Sequence, residues 1–189
     1  MDILQELISP DSPRKPVMTW LADNLPSQPN IVEVGAARDW TSKSYRTDGL
    51  LSLHLLNMIQ GGKGELWSVD VDPYTIFALN SIFLNASLHS ESFAHAILQD
   101  GVEFLEEFDE LIDVLILDAN DVWTDNYKEA HLAMYQAARS KLAKDAILIL
   151  DDCYCIDNLG KGELVLPLAI EDGFKYEIAG YTMVLRRHA

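Results

Sequence analysis

Apolar residues along this chain fall into short runs that alternate with amphipathic stretches. Five runs read as strands: "NIVEVG" from Asn30, "ELWSVDV" from Glu65, "SFAHAIL" from Ser92, "IDVLILD" from Ile112 and "DAILILDD" from Asp145. Near-continuous aliphatic character, without strict alternation, predicts strands buried on both faces, as in a parallel sheet covered by helices. Between them "GLLSLHLLNMI" places Leu51, Leu55, Met58 and Ile59 roughly on one stripe, and Gly61-Gly62 stops it. "DPYTIFALNSIFLNA" begins with Asp72 as an N-cap and Pro73 at the first helical position. "DGVEFLEEF" predicts a short helix after the third strand, and "DNYKEAHLAMYQAARSKL" a long amphipathic one after the fourth.

The tail breaks this rhythm. "KGELVLPLAIEDG" reads as a helix or helical turn interrupted near Pro167. "FKYEIAGYTMVLRR" then gives two strand-like pieces around Gly180, too close for a helical crossover, so an antiparallel hairpin is expected. The predicted fold is α/β: a doubly wound, mostly parallel seven-stranded sheet ending in that hairpin. Residues 1–29 form an N-terminal helical segment around "VMTWLADNL", and 30–189 the main domain.

The 189 residues suit one sizeable core, and a hydrophobic fraction of 49% is ordinary for a globular chain. The formal net charge of -16 changes the picture. A surface this acidic repels phosphate backbones and anionic lipid, so neither nucleic acid nor membrane is expected as a partner. "MDILQELISPDSPRK" lacks the form of a secretory signal, and no apolar run reaches membrane-spanning length. With two cysteines, Cys153 and Cys155, and no evident bridge, a reducing cytoplasm is the expected setting. A homodimer is compatible with the chain.

In an open parallel sheet, ligands bind outside the carboxyl ends of the strands, near the switch in strand order. Every predicted strand end here carries an acid: Glu33 before Gly35, Asp70, Asp100 before Gly101, Asp118, and Asp151-Asp152. Asp70 stands where a carboxylate accepts hydrogen bonds from two vicinal ribose hydroxyls. Asp72 fills the competing capping role. Asp100 with Gly101 fits either an adenine amino group or the cap of the next helix. Asp118, Asp151 and Asp152 end two neighbouring strands, and three converging carboxylates resist ionising unless a cation offsets their charge. Hard oxygen donors select Mg²⁺, Ca²⁺ or Mn²⁺. Alternatively, Asp151 and Asp152 point to opposite faces and cap loop amides.

Taken in order, "VEVG", "SVDVDP", "QDGVEFL", "IDVLILDAND" and "AILILDDC" resemble the class I S-adenosylmethionine-dependent methyltransferases. More narrowly they resemble the metal-dependent small-molecule O-methyltransferases related to catechol O-methyltransferase, from Asn30 to Arg187. The resemblance implies S-adenosyl-L-methionine as cofactor, with Glu33 and Gly35 bordering its methionine part. Asp70 would hold the ribose, and Asp100 with Gly101 the adenine. It also implies a divalent cation, Mg²⁺ foremost, held by Asp118, Asp151 and Asp152, and a small-molecule methyl acceptor. In that mechanism the metal binds vicinal substrate oxygens and activates the attacking hydroxyl.

The chain departs from the family pattern in three places. Gly35 is followed by "AARDWTSKSYRT" before Asp48-Gly49, so the second glycine arrives late; Gly49 and Ser52 are expected to supply its close backbone approach and a hydroxyl. "ANDVW" after Asp118 lacks a lysine or histidine, leaving Asp118 and Asp121 as the candidate catalytic carboxylates, with Asn120 beside them. Little chain precedes the first strand, so acceptor selectivity falls to the loops Arg38 to Asp48 and Tyr154 to Lys161, with Trp40, Trp123 and Tyr154 as candidate pocket aromatics. His131 reads as a surface or flank residue of the long helix, and the two thiols as packed. Rival functions are methyl transfer to nitrogen, a non-methylating reaction of the sulfonium, and a non-catalytic binding protein on the same fold. A nicotinamide dehydrogenase is disfavoured by the missing glycines.

Overall fold

The structure, a computed structural model, describes residues 14–36, 51–59, 64–87, 93–154 and 159–188. In chain order these form α1 (Lys15–Asn24), β1 (Asn30–Val34), α2 (Leu51–Ile59), β2 (Glu65–Asp70), α3 (Pro73–Ser87), β3 (Phe93–Leu98) and α4 (Gly101–Glu107). There follow β4 (Ile112–Leu117), α5 (Tyr127–Ala138), β5 (Leu142–Leu150), α6 (Val165–Glu171), β6 (Phe174–Ile178) and β7 (Met183–Arg187). Short 3-10 turns at Arg139–Lys141 and Gly160–Gly162 precede β5 and α6. The seven strands lie in the order β3-β2-β1-β4-β5-β7-β6. The first five are parallel, while β7 runs antiparallel to both β5 and β6. The predicted doubly wound sheet with its terminal hairpin is therefore observed.

The continuous apolar runs are explained by helices on both faces. Alternate residues of one strand enter different cores. Ile31, Val114 and Ile116 join Leu21, Leu55 and Leu79 beneath α1, α2 and α3. Val32, Leu115 and Leu148 join Tyr135, Leu166 and Phe174 beneath α4, α5 and α6. The N-terminal helix contributes Val17, Met18 and Leu21 to the first of these cores.

Local expectations hold unevenly. Asp72 caps α3: its carboxylate accepts from the amides of Tyr74 and Thr75 at 3.2 Å each and from the Thr75 hydroxyl at 2.8 Å. The α2 helix is buried nearly all round, His54 included, instead of presenting one stripe. The β3 strand is at best half-buried, because it closes one edge of the sheet. Pro167 interrupts nothing; it lies in the first turn of α6, where its missing N–H has no helical partner to lose. No described helix is long and apolar enough to cross a membrane.

Candidate functional site

The strand order reverses between β1 and β4, and the strand ends there are locked in line by backbone bonds. Gly35 donates to the Val69 carbonyl at 2.9 Å, Asp118 to that of Val34 at 2.8 Å, and Asp151 to that of Leu117 at 3.2 Å. Above this line opens a cavity of about 610 Å³, bounded by Glu33, Gly35, Asp70, Asp100, Gly101, Asp118, Asp121 and Trp123 and reaching Arg14, Asp152 and Tyr181. Most acids predicted at strand ends thus meet in one crevice, at the topological switch point where such folds bind ligands.

Gly35 is required by geometry. Its φ of +91° is unfavourable for any residue with a side chain, and an added Cβ would collide with the backbone of Asp118 and Ala119. The first loop therefore turns tightly over β4 with one glycine. Gly101 acts differently: a Cβ there would collide with Val34, so its absence lets α4 settle on β1. Gly49, expected to replace the missing second glycine, lies outside the described residues, as do the Arg38 to Asp48 insertion and Cys155.

Glu33 is fully buried beneath the cavity floor. Its Oε2 accepts from the hydroxyls of Ser52 at 2.7 Å and Ser68 at 2.6 Å, while Oε1 has no hydrogen-bond partner among the described residues. Burial pushes its pKa to about 8, opposed by the two hydroxyls and assisted by the charges of Asp118 and Asp70. The sequence predicts Ser52 beside the cofactor's carboxylate. It instead lies fully buried, supporting Glu33 from behind and outside the cavity wall.

Asp70 lines the cavity but is not idle. It accepts from the Ala36 amide at 2.9 Å and from the Asp72 amide at 2.8 Å, so the expectation that capping by Asp72 leaves Asp70 free is corrected. Turn amides at two strand ends need acceptors, and Asp70 supplies both. A carboxylate has about four lone-pair sites, so capacity remains for a ligand. Asp100 caps α4, accepting from Val102 at 2.9 Å and Glu103 at 3.2 Å, which realises the capping alternative.

At the other end, Asp118, Asp151 and Asp152 each place an oxygen within 4.8 Å of the others. The strand alternation that would separate Asp151 from Asp152 does not apply, because β5 ends at Leu150 and Asp152 takes a φ of +48°. The three acids converge as expected, but the compensating charge is on side chains. The Lys161 ammonium donates to Asp118 Oδ1 at 2.8 Å and pairs with Asp152 Oδ2 at 2.8 Å. The Arg14 guanidinium donates to Asp151 Oδ2 through Nε at 2.8 Å and also through Nη2. Thr182 donates to Asp151 and Tyr181 to Asp152, while the Arg14 guanidinium lies 5.6 Å from the centre of the Tyr181 ring.

Burial opposes charge on Arg14 and on Lys161, yet the facing aspartates outweigh it and hold both cationic. Burial likewise works against ionised Asp152, but Lys161 and Tyr181 bring its pKa below the ordinary carboxylate value. Asp151 is pushed upward by burial and by Asp118, with Arg14 and Thr182 pulling the other way. A divalent ion in this cluster would have to displace two buried, hydrogen-bonded cations. The donor set matches a hard metal, but the arrangement around it does not.

Arg14, Lys161, Tyr181 and Thr182 are absent from the sequence-based site. Arg14 precedes α1, and Tyr181 and Thr182 lie in the hairpin turn, so no local pattern links them to β4. Lys161 carries a signal in "GKG". Gly160, at φ +47°, would drive a Cβ into the Asp152 carbonyl, and Gly162 packs on Cys153, so the two glycines press the intervening lysine into the cluster. His131, expected as a surface or flank residue of the long helix, is fully buried. Its Nδ1 donates to the Tyr127 carbonyl at 2.7 Å, and burial lowers its pKa to about 4.

No family model and no curated protein matches the chain. Solved structures do. A methyltransferase from Geobacter sulfurreducens superposes with a TM-score of 0.63 at 17% identity, over 97% of this chain and 81% of that one. The chain has the class I methyltransferase fold. A candidate O-methyltransferase from Klebsiella pneumoniae shares the methyltransferase fold over 100% of this chain and 91% of its own, with a TM-score of 0.62 at 12% identity. The Thermus thermophilus 16S rRNA N2 G1207 methyltransferase, solved with AdoMet and guanosine, has a TM-score of 0.61 at 20% identity, covering 95% of this chain and 43% of that one. The same fold thus serves proteins described by unlike acceptors, and this chain's acceptor must be argued from its own site.

Proposed function

We propose that this protein transfers a methyl group from S-adenosylmethionine to a hydroxyl of a small molecule. The observation that carries the reading is one crevice joining Asp70 and Asp100-Gly101 to Asp118 across the switch point. Asp70 and the backbone near Gly101 are placed to receive the nucleoside, and Glu33 with the Gly35 turn to receive the amino-acid part. Bound there, S-adenosylmethionine supplies an electrophilic methyl on a sulfonium. Asp118, one-fifth exposed at the cavity, is the carboxylate that accepts the acceptor's proton, with Asp121 in the same wall. Trp123, 80% exposed, offers a flat apolar face at the mouth.

Charge supports a small acceptor over a polynucleotide. Among the described residues, Asp70, Asp72, Asp100, Asp118, Asp121 and Asp152 line the crevice against one cation, Arg14, within a chain of net charge -16. The same acidity favours a basic nitrogen as the second choice of acceptor atom. Calorimetric titration with S-adenosylmethionine and S-adenosylhomocysteine tests the first step: binding is expected, and is expected to weaken at least about tenfold in Asp70→Ala, one lost ligand hydrogen bond to a charged group. Absence of binding by either compound would remove the enzymatic reading. Methyl transfer from labelled cofactor to panels of alcohols, phenols and amines then distinguishes oxygen from nitrogen.

A further inference from the structure

We propose that the buried Lys161 ammonium occupies the place of a divalent cation in the Asp118–Asp151–Asp152 cluster, so that the protein binds no metal there and its acceptor needs only one hydroxyl. The acceptor clause rests on the methyltransferase reading; the metal clause stands without it.

The ammonium sits among the oxygens a metal would use. Lys161 Nζ is 2.8 Å from Asp118 Oδ1, 2.8 Å from Asp152 Oδ2 and 3.3 Å from the Asp118 carbonyl oxygen. Arg14 holds the third carboxylate, Asp151. Lys161 and Arg14 together carry two positive charges, as a divalent ion would, against the same three acids. Lys161 is fully buried, so a metal could enter only after an ammonium with three oxygen neighbours had left. The backbone makes that seat: Gly160 lets the turn close on the Asp152 carbonyl at a distance no side chain would permit, and Gly162 packs tightly on Cys153.

This changes what the acceptor must be. A metal open to substrate chelates two vicinal oxygens, whereas the Lys161 side chain is 1% exposed and presents no open face to a second oxygen. It is a positioning residue, fixing Oδ1 of the cavity-lining Asp118, whose Oδ2 stands 3.9 Å from Arg14 Nη2. One acceptor hydroxyl facing that oxygen suffices, and a second, vicinal oxygen has no cation to meet.

Titration of the purified protein with Mn²⁺, followed by calorimetry and by electron paramagnetic resonance without cofactor, decides the metal clause. Wild type is expected to take up no stoichiometric Mn²⁺, and Lys161→Arg, which keeps the charge, none either. Lys161→Met, its fold checked by circular dichroism, is expected to gain one Mn²⁺ per chain, and a further Asp118→Asn to abolish that gain. Stoichiometric Mn²⁺ in wild type, lost in Asp118→Asn, overturns the proposal, as does a folded Lys161→Met that stays metal-free. Should Lys161→Met not fold, the wild-type titration decides alone. For the acceptor clause, monohydroxyl compounds are expected to be methylated in chelator as fast as their vicinal diols; a strict need for the diol overturns it. Failure to bind S-adenosylmethionine would remove the proposed function and leave the Mn²⁺ results standing.

Discussion

At the β2–β3 end of the cavity, carboxylates hold backbone amides that are mostly near them in the chain; at the β4–β5 end, charges drawn from distant parts of the chain hold one another. Asp100 accepts from Val102 and Glu103, two and three residues on, and Asp70 from Asp72, with its one longer reach to the Ala36 amide across 34 positions. Arg14, by contrast, reaches Asp151 across 137 positions, and Lys161 reaches Asp118 across 43. A local carboxylate keeps its surroundings when a neighbour changes. A buried ionic network keeps its charges satisfied only while every member is present. The nucleoside end should therefore yield gradually to substitution, and the acceptor end abruptly.

The largest effect is expected from Arg14→Ala. Among the described residues it strands the fully buried Asp151 with only Thr182 as side-chain donor, and unfolding in urea should show a loss of about 3–5 kcal/mol. A loss below about 1 kcal/mol, the scale of an exposed ion pair, would place Arg14 outside the network and erase the contrast between the two ends. Gly35→Ala comes next. The added Cβ meets backbone, which cannot rotate away, and the residue must keep a positive φ. A loss of about 2–3 kcal/mol is expected, with weakened S-adenosylmethionine binding by calorimetry.

These two predictions also mark what was legible in the sequence. The sheet, its order of strands and helices, and the terminal hairpin follow from hydrophobic period and turn residues, which are local signals. The acids at strand ends were legible because the parallel topology brings all those ends to one side. Gly35 was legible as a glycine after a strand. Its cause, the backbone of Asp118–Ala119 lying against it, belongs to the chain just past the end of β4 and is a fact of packing. The cations were not legible. Three converging aspartates announce that positive charge is needed and leave its source open, and Arg14 and Lys161 become neighbours only when α1 and the Gly160 turn dock. The place of Ser52 at the start of a helix predicts a hydroxyl facing ligand; the side chain turns instead toward Glu33, an acid on the face of β1 beneath α2.

Glu33 joins the two ends and gives an effect that depends on pH. Its pKa rises from the ordinary 4.5 to about 8 through burial, with the Asp118 and Asp70 carboxylates adding to the rise and the Ser68 and Ser52 hydroxyls opposing it. The folded state then binds a proton that the unfolded chain has released. The contribution to stability is whole below pH 4.5, falls as pH rises, and is gone above about pH 8. For one proton the slope approaches about 1.4 kcal/mol per pH unit. Glu33→Gln, which keeps a neutral group of the same shape, should flatten it in urea titrations across this range. An unchanged slope would assign the dependence to the acceptor cluster instead.

The smallest effect tests whether the nucleoside end is as local as its geometry. Asp100→Ala removes the acceptor for the Val102 and Glu103 amides and should cost about 1 kcal/mol in urea unfolding. Asp100→Asn caps nearly as well and should stay within about 0.3 kcal/mol of wild type. Since Asp100 also borders the cavity, the pair separates two roles that coincide in one side chain. If capping is its whole task, Asp100→Asn binds S-adenosylmethionine like wild type, and Asp100→Ala weakens it only as far as α4 frays. A stable Asp100→Asn with a clear loss of affinity would instead mean that the negative charge reaches the ligand directly. Both ends of the crevice would then depend on charge, and the difference between them would lie only in how far along the chain each charge finds its partner.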